Sequence, residues 1–401
     1  MVALSALLAA VGALGLAGCA AVEPRNPVPN QTLAQSASLP DIPGVRAWAD
    51  EAPADVAAEV RRRAPTLPRL AQRANRQEGR PIVDILALSG GGADGAFGAG
   101  VLAGWSARGD RPQFEIVTGV SAGAIIAPFA FLGSRYDSQL REIWTRYQAS
   151  EIVTAQILPG LLGGSALVDT GPLVALIAQY VDERLLAAVA SQYREGRLLL
   201  VGTTNLDAQR PVVWNMGGIA ASGHPQALEL FRKVLLASAA IPGIFPPVSI
   251  SVRAGGKSYD EMHVDGGTTR EVFVSPLDVP LLAFDPLYDA PPIRRIFVIK
   301  NGKLAPEYAA VEPQVISIAA RAISTLTKAQ SQAELYRIWR MANDASADFN
   351  LIAIPKNFRS APPKLVEPDY QAALFAEGLR LGRSRSAWMK QPSSPTAAGL
   401  R

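Results

Sequence analysis

Ser121 lies in Gly119-Val120-Ser121-Ala122-Gly123, directly behind the apolar run 114–118 and ahead of a helix-like run from Ala124. Strand, G-x-S-x-G, helix is the context in which this pattern carries chemistry. The glycines permit a turn tight enough to push the serine side chain out at the end of a sheet. A serine held in that way is a candidate nucleophile for acyl transfer. Such an enzyme also needs a base and an oxyanion site.

A second glycine cluster, Gly90-Gly91-Gly92-Ala93-Asp94-Gly95, follows the apolar stretch 82–88 and precedes a helical run from Phe97 to Trp105. It satisfies G-x-G-x-x-G, and Glu115 stands 20 residues beyond Gly95, so a dinucleotide-binding loop is one reading. The acid that reaches a ribose belongs at the carboxyl end of the next strand, and Glu115 is at its beginning. An unbroken triplet fits an oxyanion hole better. Successive N–H groups of Gly90, Gly91 and Gly92 can converge on a developing negative oxygen with no side chain in the way, backed by a helix N-terminus. A tight turn without a ligand is the third reading.

The base is not an obvious histidine. The chain has two, His224 and His263, and the strand-end order of an α/β hydrolase places the histidine last. His224 belongs to a loop-like Ser222-Gly223-His224-Pro225. His263 precedes Asp265 by two residues, which makes them neighbours on one strand face rather than base and orienter. Asp265-Gly266-Gly267 closes an apparent strand, and the glycines leave room around the carboxylate. A carboxylate near pKa 3.9 is a poor base at neutral pH, and partial burial would raise its basicity. The bland alternative is an Asp-Gly-Gly turn.

The positioning elements read as alternating strands and helices. Strands are expected at 82–88, 114–118, 197–204, 211–214, 296–300 and 351–354, with a hairpin at 248–252 and 259–264 around Gly255-Gly256. Helices are expected at 134–148, 170–194 and 314–343, and a short one at 55–63. That alternation predicts a three-layer α/β/α sandwich with a mostly parallel central sheet.

Of 401 residues, 49% are hydrophobic, enough for a large core. The charge is +4, and no Lys/Arg stripe interleaves with aromatics, which argues against nucleic acid. Two histidines and one cysteine argue against a His/Cys zinc site, and no internal disulfide can form. No metal or organic cofactor is implied. The cysteine, Cys19, ends the apolar stretch 1–18 at Leu16-Ala17-Gly18-Cys19, which resembles the bacterial lipoprotein box. That reading makes residues 1–18 a signal peptide and Cys19 a lipid anchor. It places the protein in a bacterial envelope, and Ala20 points to the outer membrane, facing the periplasm. Pro24, Pro27, Pro29, Pro40 and Pro43 mark residues 19–80 as a tether with a short helix.

Taken together, the motifs resemble those of the patatin-like phospholipase family. The blocks, in order, are Ser89–Ala96, Gly119–Gly123, Leu167–Leu173, Ala237–Pro247 and Asp265-Gly266-Gly267. The resemblance covers about residues 82–280. It implies a Ser-Asp dyad without histidine, with Ser121 as nucleophile and Asp265 as general base. It also implies a catalytic region at 81–300, followed by a helical extension at 301–401 with a flexible tail. Expected oxyanion donors lie around Gly90, Gly91, Gly92 and Ala122, and expected substrates are phospholipids or other acyl esters. One departure stands out. Most members carry Arg or Lys where this chain has Asp94, so either Asp94 turns away to a basic partner or the loop backbone serves alone. A weakly active or inactive envelope lipoprotein that binds lipid or a partner is the main alternative, and a dinucleotide-binding protein the lesser one.

Overall fold

The structure is a computed structural model, and it describes residues 25–51, 76–147, 154–155, 168–275, 280–359 and 367–392. Its strands are β1 (Arg46–Trp48), β2 (Arg76–Gln77), β3 (Arg80–Leu88), β4 (Ile116–Val120), β5 (Thr154–Ala155), β6 (Val168–Asp169), β7 (Leu198–Asn205), β8 (Arg210–Asn215), β9 (Val248–Ala254), β10 (Lys257–Asp265), β11 (Ile293–Lys303) and β12 (Asp348–Ile354). Its helices are α1 (Gln31–Ser36), α2 (Gly95–Arg108), α3 (Ala122–Leu132), α4 (Asp137–Thr145), α5 (Gly171–Tyr180), α6 (Glu183–Arg194), α7 (Met216–Ala221), α8 (Ala227–Ser238), α9 (Val315–Asp344) and α10 (Pro368–Gly382).

The central sheet is mixed, in the order β1-β8-β7-β4-β3-β11-β12. Strands β7, β4, β3, β11 and β12 are parallel neighbours, and β8 and β1 add antiparallel at one edge. Strand β3 shows why helices cover both faces. Leu86 and Leu88 point into one core, and Val83, Ile85 and Ala87 into the other. A strand apolar on both sides belongs in the middle of three layers. The larger core takes α2, α3 and α10. The smaller one takes Leu335, Ile338 and Ala342 of α9.

Helix α9 connects parallel β11 to β12, so it runs against them and begins at their carboxyl edge. Its 30 residues span roughly 45 Å, about twice the length of a seven-residue strand. Its second half packs on the sheet through Leu335, Ile338 and Ala342. The first half overhangs the carboxyl edge, with Val315, Ile318, Ile323 and Leu326 between 49% and 85% exposed.

Two expectations need correction. Residues 25–50 are no extended tether. Leu39, Ile42, Val45 and Trp48 are buried, β1 pairs with β8, and Ser38 bridges Arg253. Prolines break up this segment, but its apolar side chains still find the core. The expected helix 170–194 is two helices, because Asp182 turns extended and its side chain caps α6 by accepting the Leu185 N–H at 2.8 Å. Cys19, the apolar stretch 1–18, the short helix 55–63 and the tail beyond 392 lie outside the described residues. Among the described residues, no helix is long and apolar enough to cross a membrane.

Candidate active site

Strand β4 delivers Ser121 at the carboxyl edge of the sheet. Ser121 has φ 53°, a conformation that strains any side chain bearing a Cβ and that persists only when the surroundings enforce it. Both flanking glycines are needed for that. A methyl at Gly119 would collide with the Gly123 carbonyl, and one at Gly123 with the Leu88 carbonyl. The strained turn is held from the side by Ser238, at the end of α8. Its hydroxyl accepts the Ser121 N–H at 2.9 Å and donates to the Gly202 carbonyl at 2.6 Å.

Asp265 arrives on the opposite heading. The β9–β10 hairpin turns at Gly255 and Gly256, both with positive φ, and β10 then runs antiparallel to β7. Val120 pairs with Gly202, and Asp265 with the next residue, Thr203. The carboxyl ends of β4 and β10 therefore meet head to head along one side of β7. The Asp265 carboxylate lies beside the Ser121 hydroxyl, close enough for that hydroxyl to lower its pKa, and its Oδ1 accepts the Gly267 N–H at 2.7 Å. Ser121 and Asp265 are 6% and 5% exposed. Burial pushes the Asp265 carboxyl up to about 7, against the lowering effect of the Ser121 hydroxyl and the Gly267 N–H, and the nearby Glu271 charge pushes the same way as burial. A carboxyl held there is a competent base near neutral pH.

The glycine loop lies beside this pair. A methyl at Gly90 would stand 3.2 Å from the Ser121 Cβ. The Gly90 N–H is taken by the Glu271 carbonyl at 3.1 Å, so Gly90 supplies space rather than a donor. Among the described residues, no acceptor pairs with the N–H groups of Gly91, Gly92 or Ala122. Gly91 and Gly92 are exposed, and Ala122 opens α3, where first-turn N–H groups have no helical partner.

Asn301 fixes the loop from behind. Its side-chain amide donates to the Ser89 carbonyl at 2.8 Å and its Oδ1 accepts the Gly98 N–H at 3.0 Å. A methyl at Gly91 would strike the Asn301 carbonyl, so the middle glycine of the triplet is required for this loop geometry. Lys300, one residue earlier, pairs with Glu271 at 2.5 Å, with both side chains nearly buried.

Other expected roles fall away. His263 is buried between Thr203 Oγ1, 3.0 Å from its Nδ1, and Glu261 Oε2, 3.1 Å from its Nε2, so neither nitrogen serves Ser121. Glu115 accepts the Asp84 N–H, with Asp84 and Glu115 at the amino-terminal half of the sheet, away from the glycine loop. It is not placed to meet a ribose. Among the described residues, Asp94 does not pair with a basic residue either. Its carboxylate accepts the Tyr370 hydroxyl at 2.8 Å. Among the described residues, no group of three or more His, Cys, Asp or Glu could hold a metal ion.

Residues 86–278 match the family model of patatin-like phospholipases. A search of curated proteins finds no match. Among solved structures, VipD from Legionella pneumophila aligns with a TM-score of 0.36 and 11% identity, over 74% of this chain and 65% of that one.

Proposed function

We propose, from the premise that residues 86–278 are a patatin-like phospholipase domain, that the chain is a serine lipid acyl hydrolase working through Ser121 and Asp265. The observation that carries this reading is the juxtaposition of Ser121 and Asp265 where β4 and β10 meet along β7, with both side chains buried and the hydroxyl acting on the carboxylate.

Asp265 takes the Ser121 hydroxyl proton as Oγ attacks the ester carbonyl carbon. The carbonyl π pair moves onto oxygen, which accepts hydrogen bonds from Gly91, Gly92 and Ala122. Collapse of this intermediate breaks the C–O bond to the leaving alcohol or lysolipid, which takes the proton from Asp265. Water then attacks the acyl-enzyme, gives one proton to Asp265, and the second collapse returns that proton to Ser121 as the fatty acid leaves.

The overhanging apolar face of α9 supports a lipid substrate. It projects past the same sheet edge that carries Ser121, and a lipid surface would cover Val315, Ile318, Ile323 and Leu326. The lipid anchor proposed at Cys19 would hold the site near such a surface.

The test is turnover of nitrophenyl acyl esters and of phospholipid vesicles by the full chain and by Ser121→Ala. Hydrolysis that the substitution abolishes is the expected result. Equal turnover in the two proteins, or none in the intact chain, rejects the reading.

A further inference from the structure

Asp94 opens α2, where an aspartate ordinarily accepts a first-turn N–H, yet its side chain makes no such bond. It reaches instead to Tyr370, 276 residues along the chain in the first turn of α10, and accepts that hydroxyl at 2.8 Å. Tyr370 is 3% exposed, with the Phe358 ring 6.1 Å away and the Arg359 guanidinium over its face.

The helices behind this bond cannot slide independently. Methyls at Gly100 and Gly104 of α2 would collide with the Phe375 and Leu379 carbonyls of α10. Methyls at Gly378 and Gly382 would collide with the Phe97 and Val101 carbonyls. Backbone therefore rests on backbone along both helices, and α2 begins where the glycine loop ends. That loop is held on its other side by Asn301 and by the Glu271 carbonyl. The Tyr370 bond restrains its Asp94 end from α10, in the C-terminal part of the chain beyond residue 278.

We infer that Tyr370 is a positioning residue for the oxyanion loop, acting through Asp94, and that α10 is thereby part of the acyl-transfer machinery. The bond does two things. It fixes the start of α2, and so the direction of the Gly91 and Gly92 N–H groups. It also turns the Asp94 carboxylate toward a donor and away from the position of a developing oxyanion. Deleting an oxyanion donor costs about 10²–10³ in kcat, and loosening the loop costs less.

The inference rests on the hydrolase reading, and the experiment separates the two. In the full chain, Tyr370→Phe and Asp94→Leu each lower kcat for a nitrophenyl ester about tenfold with KM within about twofold. The double variant loses no more than either single one. Asp94→Asn, which keeps an oxygen acceptor, stays within about threefold of the parent. Hydrogen–deuterium exchange of the peptide 86–97 rises in Tyr370→Phe. An unchanged kcat in Tyr370→Phe, or losses that multiply in the double variant, overturns the inference. If the parent chain turns over no ester, the hydrolase reading fails, and exchange alone decides: faster exchange in Tyr370→Phe supports the latch, and unchanged exchange overturns it.

Discussion

Val120 and Asp265 occupy adjacent positions along β7, paired with Gly202 and Thr203, although their strands run in opposite directions. One side of one strand thus brings together two chain segments 144 residues apart, counted from Ser121 to Asp265. The close approach needs Gly266, because a methyl there would stand 2.5 Å from the Gly202 carbonyl oxygen and 2.9 Å from Val120.

The pH dependence follows from the Asp265 carboxyl. Its folded pKa, about 7, lies above the ordinary 3.8. The base must be ionised, so kcat/KM rises with pH and reaches half its plateau near 7. Stability moves the other way. The native state holds the proton more tightly than the unfolded chain between 3.8 and about 7, so stability contributed by this group is present at low pH and falls as pH rises through that window. Asp265→Asn therefore melts higher than the parent at pH 8, with the gap closing below about pH 4. Ester kinetics and thermal melts across pH 4–9 check both.

Ser238 is the second prediction. Ser238→Ala leaves the Ser121 N–H and the Gly202 carbonyl without their partner in a buried place. The expected loss of stability is about 1–3 kcal/mol. With the strained Ser121 turn released, kcat falls more than KM changes. Denaturant titration and steady-state kinetics measure the two effects.

Gly91→Ala is the third. The added methyl meets the Asn301 carbonyl, so the loop must move or Asn301 must leave Ser89 and Gly98. Ester turnover falls by about 10² or more while Ser121 remains in place. Kinetics together with labelling of Ser121 by a fluorophosphonate separates a displaced oxyanion site from a lost nucleophile.

The α9 overhang yields a fourth. Ile318→Asp and Leu326→Asp change side chains that are 53% and 69% exposed, so the fold should be nearly unaffected. Turnover of phospholipid in vesicles drops several-fold, while turnover of a short soluble ester is unchanged. Assaying both substrates side by side is the check, and equal effects on the two would exclude a lipid-facing role for this helix.

Part of this was legible in the sequence because it is local. Ser121 and Asp265 lie in short glycine-bearing turns whose conformational demand is written in the neighbouring residues, and the strand–helix alternation set out the layers. The roles of Ser238, Asn301, Glu271 and Tyr370 are not legible in the sequence. Each acts through a contact made only after β7, β11 or α10 is in place. Ser238 did lie in the quoted block 237–247, but nothing local says that its hydroxyl spans Ser121 and Gly202. Residues 25–50 differ from a tether for another reason. Their prolines look like a tether, but Leu33, Leu39, Ile42, Val45 and Trp48 recur among them at a density no solvated tether needs. Asp182, an N-cap residue type in the middle of the expected helix 170–194, is the local signal that could have placed the α5–α6 boundary.

The central claim is that Asp265 activates Ser121. The most direct measurement is the rate at which a fluorophosphonate labels the full chain at pH 8, with the modified residue found by peptide mass. The account predicts a single adduct on Ser121, none in Ser121→Ala, and a rate about 10²–10⁴ lower in Asp265→Asn. Labelling of another residue, or an undiminished rate in Asp265→Asn, would contradict it.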